Sequence, residues 1–185
     1  MTNILTSKVK SAVSVVKNLF KSEDVDLTML SPVKENLKHL RAGMFWYEDN
    51  LISDKFIASR RLRAIVLKVS GNSFIGFFPS TEVIFRQESF YETGLCLENN
   101  SNYRCSMKRP KLRELKAMRR NLEVLNQSLR ESNWPELDGE YWAWDWRRKT
   151  PDVVFDMKTG KTRKKAEEVS AMGIYIVKFS FKLTF

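Results

Sequence analysis

RPKLRELKAMRRNLEVLNQSL fills residues 109–129, and how it is read decides the fold. Leu115, Met118, Leu122, Leu125 and Leu129 recur at alternating spacings of three and four, and Leu112 extends the stripe. That period places them on one side of an α-helix. Pro110 suits the first turn, where a missing N–H costs nothing. The spacing predicts one amphipathic helix over residues 110–131, packed on a sheet. Three heptads are too few to require a coiled coil.

Strand patterns flank this helix on both sides. Met44, Phe45, Trp46 and Tyr47 form an aromatic run that stops at a polar turn, residues 48–50. Residues 64–69 are almost continuously apolar and read as a buried central strand. Gly71-Asn72 is a turn signal, and residues 74–78 read as the return strand of a hairpin. Residues 93–106, with Gly94, Asn99, Asn100, Ser101 and Asn102, read as a long loop. After the helix, Trp134-Pro135 and Asp138-Gly139 mark a loop, and residues 140–146 an aromatic strand. Residues 153–157 form another strand, closed by a turn at 158–161. Residues 174–181 alternate two mostly apolar sets, so both faces of this last strand should be covered. The prediction is an α+β domain over residues 41–185.

Residues 1–40 read as a helical extension. Leu5, Val9, Ala12, Val13, Val16, Leu19 and Phe20 repeat at helical spacing, and Lys8, Lys10, Lys17 and Lys21 lie on other faces. Such a helix docks on its own domain or on another subunit; lying on a membrane surface is the alternative. Leu5, Val9, Val13, Val16 and Phe20 are the predicted contacts to a protein partner or a second copy. Ser31-Pro32 with Glu35 can open a second short helix that buries Leu37 and Leu40.

Composition narrows the class. Of the 185 residues, 43% are hydrophobic and 12% aromatic, enough for a real core, which excludes a wholly disordered chain. The formal charge of +10 favours an anionic polymer, glycan or nucleic acid, or another acidic partner. Cys96 and Cys105 read as two free thiols in a reducing compartment, with one loop-crossing bridge as the alternative. His39 is the only histidine, so neither a structural metal site nor a base for a serine or cysteine nucleophile is expected. No Gly-rich phosphate cradle is present. Glu114 with Glu140, and Asp138 with Asp145, pair as acid and base only on paper. No run approaches the roughly 20 apolar residues that span a bilayer. The N-terminus has no signal-peptide pattern, so the expectation is a cytoplasmic chain that a virion or other particle can incorporate.

Four segments in this order resemble a bacterial family of C-type-lectin-like domains, found as the C-terminal lobe of collagen-like adhesins and related to phage tail-fibre tips. They are AGMFWYEDNLISDKF (residues 42–56), RAIVLKVSGNSFIGF (63–77), the leucine-striped stretch, and the closing GEYWAW, VVFDMKTGKTRKK and YIVKFSF. Arg109 stands where the family has an apolar residue, and Lys111 where it has threonine. The resemblance implies a twisted antiparallel sheet with one main helix, and a non-catalytic role in protein–protein or glycan recognition. The calcium motifs of C-type lectins are missing, so no metal, cofactor or calcium dependence is predicted.

Two sets of residues stand out as binding candidates. In an alternating strand, Trp142, Trp144 and Trp146 share one face, either as core or as a stacking surface for a sugar or base. Trp144 and Trp146, with Arg147, Arg148 and Lys149, are the predicted ligand-binding group. The second set is basic: Arg104, Lys108, Arg109, Lys111, Arg113, Lys116, Arg119 and Arg120 around the helix start, and Arg147, Arg148, Lys149, Lys158, Lys161, Arg163, Lys164 and Lys165 in the closing hairpin region. Sharing one face, these would attract a polyanion without reading its sequence, which makes nucleic-acid binding the alternative function.

Overall fold

The computed structural model describes residues 30–32, 34–85, 95–145, 147, 150–164 and 170–182. The predicted N-terminal helix, with Leu5, Val9, Val13, Val16 and Phe20, lies outside them. Among the described residues the chain forms ten strands: β1 (Phe45–Tyr47), β2 (Ile52–Ser53), β3 (Leu62–Ser70), β4 (Ser73–Phe85), β5 (Leu95–Asn99), β6 (Tyr103–Lys108), β7 (Glu140–Asp145), β8 (Thr150–Asp156), β9 (Thr162–Lys164) and β10 (Ser170–Phe181). The helices are short: a 3-10 turn at Lys34–His39, α1 (Leu112–Arg120) and α2 (Leu122–Glu131).

The architecture of the described residues is mostly β, which corrects the expected α+β, C-type-lectin-like domain. Seven strands form an antiparallel sheet in the order β2-β1-β3-β4-β10-β6-β5. A three-stranded sheet, β7-β8-β9, joins it where Tyr141 pairs in parallel with Met172 of β10. Two local features produce the difference. The expected loop over residues 93–106 is instead the β5–β6 hairpin. Its polar residues form only the turn, where Asn100 Oδ1 accepts the N–H groups of Asn102 and Tyr103 at 2.9 Å each. The expected single helix is two, broken at Asn121 (φ −113°, ψ 20°). There the side-chain amide donates back to the carbonyl of Ala117 at 2.9 Å, the local competition that disfavours Asn inside helices. The leucine period runs on across the break.

Strand pairing follows the hydrophobic pattern. Ala64, Ile65, Val66 and Leu67 of β3 are all buried, as are Ile174, Ile176, Val177 and Phe179 of β10. Both strands are therefore central, with apolar cover on each face. One face carries Phe45, Ile65, Phe77, Tyr141, Phe155 and Ile176 and is closed by Leu115, Met118, Leu125 and Leu129 of the helices. The other carries Trp46, Phe74, Cys105, Val177 and Phe179 and is closed by Leu30, Leu37 and Leu40. Ser128 Oγ ties α2 down by donating to the carbonyl of Gly43 at 2.7 Å. Gly43 has φ +92°, and a Cβ there would come within 2.6 Å of Val124 Cγ1, so the close docking needs glycine.

The sheet curls strongly. Arg63 on β3 pairs with Glu98 on β5 and donates to Cys105 Sγ on β6 at 3.4 Å. Four strand spacings separate β3 from β5, about 19 Å in a flat sheet, too far for these side chains to meet. Bulges in β1–β3, β3–β4, β4–β10 and β5–β6 supply the extra twist. Glu98 also accepts from Tyr103 Oη at 2.6 Å and Asn50 Nδ2 at 3.3 Å, so a polar network joins the two ends of the sheet across its concave face.

Candidate functional site

Helix α1 begins with a buried carboxylate. Glu114 accepts the N–H of Lys111 at 2.8 Å and the Nζ of Lys108 at 2.8 Å, satisfying one of the unpaired helix-start donors and absorbing a nearby cation. Lys108 is thereby consumed in a partly buried ion pair. Arg109 is buried too, at 3% exposure, with its guanidinium 3.8 Å from the centre of the Tyr175 ring. These two residues and the half-buried Lys111 stand apart from the exposed basic surface. The remaining four predicted cations of the helix, Arg113, Lys116, Arg119 and Arg120, are exposed, opposite buried Leu115, Ala117 and Met118. At 100° per residue they form one stripe about 120° wide and about 10 Å long.

This stripe meets the second basic cluster. Arg119 Nη2 donates to the carbonyl of Lys158 at 3.4 Å, in the turn between β8 and β9. Gly160 of that turn has φ +73°, and a Cβ there would lie 2.6 Å from Arg119 Nε. Glycine lets the guanidinium stem lie on the turn. The turn is well held. Asp156 Oδ1 accepts the N–H groups of Lys158 and Thr159 at 2.8 and 3.1 Å, and Thr159 Oγ1 donates to Oδ2 at 2.7 Å. The Thr159 hydrogen bonds hold the Asp156 carboxyl below its usual range, so it stays ionised and keeps the turn in shape.

Strand register then sorts the basic residues of β9. Lys164 lies opposite Val153, which packs against the helix-side core, so Lys164 is on the α1 side. Arg163 lies opposite Val154, on the other side, and its Nε donates to Glu140 Oε1 at 2.9 Å in a two-bond pair. Arg163 is therefore neutralised and faces away from the joined surface. Lys158 is 3.7 Å from Asp138, an exposed pair of small energetic weight. Arg113, Lys116, Arg119, Arg120, Lys161 and Lys164 are exposed and have no ion-pair partner among the described residues. Lys165 lies outside the described residues.

The aromatic strand behaves as core. Trp142 and Trp144 are 4% and 7% exposed, and Trp142 packs with Val154 and Ala171. Trp144 thus offers no open stacking face. Arg147 is exposed, its N–H bonded to Asp145 Oδ1 at 2.9 Å. Trp146, Arg148 and Lys149 lie outside the described residues. Glu114 and Glu140 serve different cations, Lys108 and Arg163, and Asp138 and Asp145 have different partners again. None of these pairs forms an acid–base couple. Cys96 is exposed and Cys105 buried, both as free thiols. No group of three metal-ligating side chains occurs among the described residues, and none of their helices is long and apolar enough to cross a membrane.

Sequence reading placed Lys158 and Lys161 in the second basic cluster but missed the role of Gly160 in bringing the two clusters together. A glycine inside a basic turn, KTGK, was the available signal. Comparison of the chain with family models, curated proteins and solved structures gives no match.

Proposed function

We propose that the protein is a binding module without chemistry of its own, and that its ligand is nucleic acid held by the phosphate backbone. The contact of Arg119 with the Lys158–Gly160 turn carries this reading, because it unites two basic clusters far apart in sequence. Of the six cations without an ion-pair partner among the described residues, Arg113, Lys116, Arg119, Arg120 and Lys164 lie on the α1 side of the fold and Lys161 stands in the adjoining turn; three are arginines, whose planar forks suit phosphate oxygens. Among the described residues no base-reading element accompanies them, so the expected recognition is indifferent to sequence. The glycan-recognition expectation drew on a lectin-like architecture that the β-rich fold replaces.

The test is fluorescence anisotropy with a labelled 20-mer at low salt. The native protein should bind, and Lys116→Glu/Arg119→Glu should weaken binding by about 2–3 kcal/mol or more, roughly a hundredfold. No binding at low salt, or equal binding by the charge-reversed variant, overturns the proposal.

A further inference from the structure

The curled sheet leaves a cleft of about 500 Å³ at its concave side, bordered by Leu62, Arg63, Phe78, Leu97, Glu98 and Trp134 among others. That size is typical of small-molecule sites, and the mouth of a curled sheet is a usual place for one. Its walls are preformed. Phe78 stacks on Tyr175 with ring centres 5.0 Å apart and lies 6.4 Å from Trp134. Trp134 is fixed at the end of α2 by its N–H bond to Leu129 at 2.8 Å.

The polar side of the cleft is an ion pair that cancels itself. Arg63 binds Glu98 and donates to the Glu48 carbonyl at 2.7 Å, and its side chain is only 12% exposed. Burial would push the Glu98 carboxyl up, but hydrogen bonds from Tyr103, Arg63 and Asn50 outweigh it and hold the group below its usual range. Glu98 therefore remains an ionised acceptor. An anionic ligand would meet the carboxylate of Glu98. A cationic one would meet a guanidinium locked in place. A neutral planar ring with donors and acceptors on one edge finds a donor in Arg63, an acceptor in Glu98, and aromatic surface in Phe78 and Trp134.

From this juxtaposition we propose that the cleft binds a neutral heteroaromatic ring of the nucleobase kind. Aromatic stacking with edge hydrogen bonds is the general chemistry by which proteins hold an unstacked base. The proposal is independent of the basic face, since a nucleoside carries no phosphate. The experiment is an NMR titration of the full chain with guanosine and with cytidine, following the Trp134 indole signal. Benzoate and benzylamine serve as charged ring controls. At least one nucleoside should give a saturable shift. Leu97→Trp, which fills the cleft from a position already 37% exposed, should weaken it about tenfold or more without lowering the melting temperature. Arg63→Lys, which loses the fork, should weaken it similarly, and Lys116→Glu/Arg119→Glu should leave it unchanged. Absence of a saturable shift with either nucleoside overturns the proposal. So does undiminished binding by Leu97→Trp, or equal or tighter binding of benzoate or benzylamine.

Discussion

The salt dependence of nucleic-acid binding follows quantitatively from the joined face. Each phosphate neutralised by a lysine or arginine releases condensed counterion, and log K falls against log[salt] with a slope of about −0.9 per contact on duplex DNA. Six exposed cations lack an ion pair among the described residues: four on α1 and two, Lys161 and Lys164, on the β8–β9 side. With all six engaged, the slope is about −5, and affinity drops about a thousandfold between 50 and 200 mM salt. Replacing Lys116, Arg119 and Arg120 together by alanine should bring the slope to about −3, and replacing Lys161 and Lys164 to about −4. The assay is anisotropy on a fixed duplex at five salt concentrations. The two sets should act additively on the slope, because each cation meets its own phosphate. An unaltered slope in the three-residue variant would refute the reasoning, even if affinity fell, since the loss would then lie in folding rather than in phosphate contact.

Three further outcomes test other parts of the structure. Gly43→Ala should destabilise the fold by about 2–4 kcal/mol, because a left-handed backbone cost adds to overpacking against Val124. Gly71→Ala (φ +57°, nothing within 4 Å) should cost only about 1 kcal/mol, and equal losses in urea melts would contradict the docking account. Glu98 titrates lower in the folded chain than in the unfolded one, so the unfolded chain binds the proton first. The stability from its network is fully present above about pH 5 and fades as pH falls through the folded-state value. Glu98→Gln should flatten that acid limb in melts from pH 7 to pH 3, and an unchanged limb counts against the network. Burial pushes the Cys105 thiol up to about 11, against the lowering effect of Arg63. A thiol reagent at pH 8 should therefore modify exposed Cys96 quickly and Cys105 only after unfolding; fast modification of both contradicts the packing.

Much of the sheet was readable because its strands are apolar where they are central. The β3–β4 hairpin, the aromatic β1 and β7, and the doubly covered β10 all follow from residue pattern and turn chemistry. Two features were not. The break at Asn121 leaves the leucine spacing intact, so periodicity alone cannot reveal it. The β5–β6 hairpin was hidden by residues 99–102, whose Asn and Ser content suggested a loop. The alternation of Leu95 with Leu97, and of Tyr103, Cys105 and Met107, was the overlooked strand signal. Losing that hairpin also lost Glu98, and with it the ion pair beside the cleft. The basic clusters were visible as composition, but their sorting was not. Burial of Arg109 against Tyr175, pairing of Lys108 with Glu114 and of Arg163 with Glu140 arise from contacts between segments distant in sequence.

The most direct measurement is a backbone-amide NMR titration of the chain with a short duplex. The account predicts that amides of α1 around Arg113, Lys116, Arg119 and Arg120 shift together with those of Lys158, Gly160, Lys161 and Lys164, along one binding curve. Shifts confined to one cluster, or centred on the Glu140–Arg163 side of the small sheet, would contradict a single face built from both.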